Sequence, residues 1–121
     1  MANAVCIRRA EVEPLAFGDL QIWDYKPPHE LSASIALVQV KPGASHSRSR
    51  STRSDKYYYT LGGLVEFEVG GITYWLAQGD LLIIPKGEWF DYRNGGPETA
   101  TLLLLHTPPF RLSAEEFAGE K

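Results

Sequence analysis

An all-β barrel or sandwich is the fold class this sequence predicts, on three observations. Short runs of β-branched, aromatic and aliphatic residues recur from Leu20 to His106. Glycine, proline and asparagine punctuate them at close intervals, as strands joined by turns require and βαβ units do not. Only the C-terminal segment carries a helix-start signal.

Taken in order, the runs predict strands at Leu20–Asp24, Ser32–Val40, Ala44–Ser51, Lys56–Leu61, Leu64–Val69, Ile72–Leu76, Leu81–Ile84, Trp89–Tyr92 and Thr99–His106. Gly70-Gly71 between Val69 and Ile72 is the signal of a tight hairpin. Gly62-Gly63 and Asn94-Gly95-Gly96 punctuate in the same way. Leu81 to Ile84 is a continuous apolar run, expected as a buried strand, and Pro85-Lys86-Gly87 ends it. In the tail, Ser113 with Glu116 three residues on makes a capping-box pattern, so a short helix of about two turns is expected there. The 121 residues suit one domain. Its core is expected at about 30–110, with N-terminal strands in 5–30 and the tail in 111–121.

Composition narrows the function classes. A formal net charge of −3 argues against a general nucleic-acid binder, which needs a basic face. The single cysteine, Cys6, excludes an internal disulfide framework and suits a reducing compartment; its expected role is that of a small residue in an N-terminal strand. The start, MANAVCIRRA, lacks the apolar stretch of a secretory leader. The longest apolar runs, such as Leu102 to Leu105, fall far short of the roughly 20 residues of a membrane span. The expectation is a soluble cytoplasmic protein.

Two spaced frames carry more specific information. Gly79, Pro85, Gly87 and Asn94 stand at the spacing Gly, five residues, Pro, one, Gly, two, x, three, Asn, with Phe90 at x. Upstream, Gly43 and Gly63 bracket Ser49, Ser51 and Lys56. Together these resemble the two motifs of the cupin family across roughly residues 30 to 110, and the resemblance implies a double-stranded β-helix barrel. In that register the family's four metal-ligand positions, His, His, Glu and His, fall on Ser49, Ser51, Lys56 and Phe90. None of these is a first-choice ligand for zinc, iron or manganese. The resemblance therefore implies a cupin without a cofactor, its metal ligands replaced.

The same register turns Ser49, Ser51, Lys56, Tyr58 and Phe90 inward, and Tyr92 shares a strand face with Phe90. These six are the candidate ligand-binding residues. An inward ammonium at Lys56 needs a counter-charge, a wet barrel mouth or an anionic ligand. The protein carboxylates considered are Asp55, Glu66 and Glu88. Arg48 and Arg53 read as solvated charges. Tyr57, Tyr59 and Trp89 form an outward apolar set that suggests a subunit contact. Of the histidines, His29 reads as surface, and His46 does not share an assured direction with Ser49. His106 ends the last strand and is a candidate to face inward. A displaced metal site built from His46 and His106 with a carboxylate is a further reading, one that needs three or four ligands to converge.

Three function readings follow. The first is a metal-free barrel binding a small, anionic metabolite. The second is a metal-independent isomerase or epimerase with Lys56, Tyr58 or His106 as acid/base groups. The third is a structural or regulatory cupin with a filled barrel. The partners expected are a small-molecule ligand and a second copy in a homodimer, with no nucleic acid and no membrane.

Overall fold

The computed structural model describes residues 4–27 and 31–119, which form two antiparallel sheets facing each other. The strands are β1 (Leu15–Phe17), β2 (Leu20–Tyr25), β3 (Ser34–Val40), β4 (Ser45–Ser51), β5 (Asp55–Gly62) and β6 (Leu64–Val69). They continue with β7 (Ile72–Ala77), β8 (Leu81–Ile84), β9 (Phe90–Arg93), β10 (Ala100–Thr107) and β11 (Glu115–Phe117). The first sheet runs β1-β2-β3-β10-β5-β8 and the second β11-β4-β9-β6-β7. All nine expected strands form, with ends displaced by a residue or two. His29 lies outside the described residues. Among those residues no helix is long and apolar enough to cross a membrane.

Alternation builds the core. β10 buries every second side chain from Ala100 to His106, and β3 does the same with Ser34, Ala36, Val38 and Val40. Their inner faces meet Val65, Phe67, Phe90 and Tyr92 from the second sheet. The frame residues have visible work. Gly70 and Gly71 both take positive φ, as the two-residue β6–β7 hairpin demands. Gly63 also has positive φ, and a Cβ there would sit 2.6 Å from the Ala100 Cα. Asn94 is buried and donates to the carbonyls of Val40 and Glu98 at 2.9 and 2.7 Å, tying the β9–β10 connection to β3.

The tail departs from its expected form. Ser113 lies inside a single 3-10 turn, Leu112–Ala114, rather than capping a helix. The chain then runs as β11 antiparallel to β4, pairing Glu115 with Ser51 and Phe117 with Ser49. Long-range pairing to an open sheet edge outweighs a marginal two-turn helix. Cys6 is exposed and precedes the first strand rather than lying in one.

Candidate functional site

A cavity of about 220 Å³ lies between the sheets, so the barrel is not filled. Its walls are mostly apolar, with Ile22, Val38, Leu104 and Phe117 among them, and its polar groups come from few positions. A larger, more open hollow of about 530 Å³ near Gly18 and Lys41 offers no buried ionisable group and is a surface feature.

Lys56, Tyr58, Tyr92 and His106 all border the cavity, as the inward register requires. Ser49, Ser51 and Phe90 are buried in the same interior but do not line it. The Ser51 hydroxyl oxygen accepts from the backbone N–H groups of Arg53 and Ser54 at 3.2 and 2.9 Å, so it shapes the β4–β5 turn. Ser49 Oγ is buried with no partner. Phe90 lies beneath the site, its ring centroid 5.3 Å from Lys56 Nζ and 5.4 Å from the His46 ring.

The counter-charge of Lys56 comes from the tail. Lys56 Nζ donates to Glu115 Oε1 at 2.8 Å, and both side chains are nearly inaccessible to solvent. None of the three carboxylates considered from the sequence serves. Asp55 accepts from the Lys86 backbone N–H, Glu66 pairs with Arg93, and Glu88 is exposed. Burial pulls the Lys56 pKa down while Glu115 opposes that shift.

His46 is the residue that strand alternation misplaces. Ser49 and Ser51 point inward, so strict period two would turn His46 outward. A register shift between His46 and Ser49 in the β4–β9 pairing breaks the alternation, and His46 stands directly across from Tyr92. Its ring packs 5.3 Å from Phe17 and 5.1 Å from Tyr92. Burial lowers its pKa to about 4, the Ser47 carbonyl opposing and the Lys56 charge adding, so it is neutral at pH 7. Nδ1 lies 2.6 Å from the Ser47 carbonyl oxygen, which can only accept. The proton of the neutral ring therefore sits on Nδ1, and Nε2 carries the lone pair.

The neighbouring phenols are held protonated. Burial raises the Tyr58 pKa, with the charges of Tyr92 and Glu115 adding, and burial raises that of Tyr92. Their rings meet edge to face at 5.6 Å. His106 is pulled down to about 3 by burial and by Lys56. Asp24, half-buried at the cavity wall, is raised by burial against the opposing charge of Lys26. The set thus holds a neutral imidazole base, a phenol pair in which Tyr58 donates to Tyr92, and a charge-neutral ion pair.

The inherited metal position does not fit a metal. Phe90 has no donor atom, Lys56 is a cation already bonded to Glu115, and the Ser51 oxygen is committed to a turn. Among the described residues no three His, Cys, Asp or Glu side chains gather where they could hold an ion, so His46 and His106 have no third ligand.

Comparison with known proteins agrees with the topology. A family model described as a cupin domain matches residues 36–106. No curated protein matches the sequence. Among solved structures, the nucleoside dehydratase Pac13 superposes with a TM-score of 0.83 at 19% identity, over 96% of this chain and 92% of that one. Variants of Streptomyces Pac13 with uridine, carrying a His-to-Gln or either of two Tyr-to-Phe changes, superpose at 0.84. KdgF from Halomonas sp. gives 0.78 at 19% identity, over 92% of this chain and 98% of that one. The cupin domain of Schizosaccharomyces pombe Cnp3 gives 0.74 at 21% identity, over 86% and 74%.

Proposed function

The chain belongs to the cupin domain family, and on that premise we propose that its barrel binds a small, neutral, hydroxylated molecule and moves a proton on it without a metal. The observation that carries this reading is His46, neutral, fixed in one tautomer and set beside Tyr92 at the cavity wall. Its Nε2 lone pair is the base, and the Tyr92 phenol, which accepts from Tyr58 and keeps its own proton to give, serves an oxygen that gains charge or departs. That division suits a dehydration or an isomerisation. The cavity of about 220 Å³ lies below the roughly 300 Å³ at which drug-sized pockets begin, so the ligand is small.

Pac13 adds support from a distance. Its two altered tyrosines are separated in sequence by the same interval as Tyr58 and Tyr92, and its altered histidine stands one residue further from the first tyrosine than His46 does from Tyr58. A nucleoside is therefore the first ligand class to try. The anionic preference expected from Lys56 loses its basis, since Glu115 supplies the negative charge internally. In a thermal-shift panel, uridine or a related nucleoside is expected to raise Tm, and the shift should survive a chelator. About 2.7 kcal/mol at a hundredfold excess over Kd makes the effect easy to see. His46→Gln should abolish any turnover of such a ligand while the protein stays folded. Shifts from carboxylates and phosphates only would overturn this reading and restore the anionic one.

The homodimer is proposed on a wider face than the sequence suggested. Cross-strand register sets Ile35, Leu105, Tyr57 and Ile83 in one row on the outside of the first sheet, and Leu37, Leu103, Tyr59 and Leu81 in the next. No charged side chain interrupts either row, so two copies can meet there without like-charge repulsion. Trp89 is not part of it: it is half-buried beside the second sheet, with the Arg50 guanidinium 4.7 Å over its ring. Light scattering during size exclusion should give twice the chain mass, and Leu103→Lys should give the monomer. A wild-type monomer at high concentration would exclude the dimer. The exposed, lone thiol of Cys6 supports a reducing, cytoplasmic setting.

A further inference from the structure

Asp24 apart, the cavity's polar groups fall into two clusters. His46, Tyr58 and Tyr92 form one. In the other, cross-strand register places Ser34, His106 and Lys56 side by side on the inner face of the first sheet, and β11 adds Glu115. Phe90 touches both, through Lys56 Nζ and the His46 ring. Within the second cluster His106 is anomalous. It is 4% exposed, lines the cavity and packs 5.0 Å from the Phe110 ring, yet its Nε2 has no hydrogen-bond partner. Buried polar atoms are nearly always paired, so an orphan at a cavity wall marks a place for something that binds.

We propose that His106 is a specificity-determining residue that hydrogen-bonds one hydroxyl of a neutral diol, with Lys56 and Glu115 holding the adjacent hydroxyl. Lys56 has three N–H donors and spends one on Glu115 Oε1, while the Glu115 carboxylate has more acceptor sites than that one bond uses. An anionic group placed here meets Glu115, and a cationic group meets Lys56. A hydroxyl both donates and accepts, so one of the pair can accept from the ammonium and donate to the carboxylate while its neighbour donates to or accepts from the imidazole, whichever ring nitrogen of His106 carries the proton. The diol of a ribose or of a linear polyol has that chemistry. The inference rests on the proposed function, because it names the ligand edge that the same cavity recognises.

The test uses the full chain labelled with ¹⁵N-histidine, with uridine, 2′,3′-dideoxyuridine and ribitol as probes. Uridine is expected to move the ring-nitrogen signals of both His46 and His106. By calorimetry, His106→Leu should weaken uridine by about tenfold, the scale of one lost hydrogen bond. It should leave dideoxyuridine, already weaker on the wild type, unchanged. Equal losses for uridine and dideoxyuridine would overturn the assignment while the proposed function stands. So would a uridine complex that moves only the His46 signal, a wild-type measurement that needs no variant to fold. Silence of both histidines towards uridine and ribitol overturns both readings.

Discussion

Truncating Glu115 to alanine is expected to destabilise the fold by about 3–5 kcal/mol, the cost of stranding a buried ion. The Lys56–Glu115 pair is 2.8 Å long, with side-chain exposures of 4% and 5%, so water does not screen it. Lys56→Met should cost a similar amount, but the two single variants should part with pH. In Glu115→Ala the amine loses the partner that opposes its burial-lowered pKa. The unfolded chain, with lysine near 10.4, then binds more protons, so stability recovers as pH rises from 7 towards 10. In Lys56→Met no amine is left to titrate there, so that recovery towards pH 10 should be absent. Lys56→Met with Glu115→Leu removes both charges at similar volume and should return most of the loss, or exceed the wild type. Urea denaturation at pH 5.5, 7 and 9 measures all four proteins. A near-zero coupling between the two substitutions would mean that β11 does not seat Glu115 against Lys56 in solution.

That pair also shows where sequence reading ends. The strands were legible because their signals are local: alternation, β-branched runs and glycine turns lie within each segment. The inward direction of Lys56 and Phe90 was legible because the frame glycines, Pro85 and Asn94 fix a register across both sheets. Two site members were not. Glu115 belongs to a three-residue strand that exists only because the edge of β4 is open to it, and a capping-box pattern there reads as helix. His46 points inward because the β4–β9 ladder slips between His46 and Ser49, and no residue in His46-Ser47-Arg48 announces a bulge. The only available hint was chemical: a lone histidine in a Ser/Arg-rich strand, close to the positions where the family keeps its ligands. β1, three residues at the edge of the first sheet, falls within the 5–30 span expected to hold N-terminal strands, but a run that short carries no signal that fixes its bounds.

Acid should unfold this protein earlier than its carboxylates alone would, and two histidines, His106 buried and His46 half-buried, set the window. The folded pKa values of about 4 for His46 and about 3 for His106 lie below the unfolded value near 6.5. Between those limits the unfolded chain binds more protons, so stability rises with pH and is lost as pH falls through that range. Above about pH 6.5 both contributions are fully present. Below it, each histidine adds a slope approaching 1.4 kcal/mol per pH unit, roughly 2–3 kcal/mol apiece by pH 4.5. Asp24 opposes them, because its raised pKa lets the folded state gain from acid. The direct measurement is therefore the slope between pH 6.5 and 5, from urea denaturation of the wild type, His46→Gln and His106→Gln. Each variant should flatten the slope by about one histidine's share, whatever its absolute stability, because glutamine does not titrate. The same titration bears on function: charging His46 places a proton on Nε2, so a base at that atom is lost together with the stability it accompanies. A slope unchanged in both variants would mean that the imidazoles are hydrated in solution, and that the interior is wetter than its apolar walls imply.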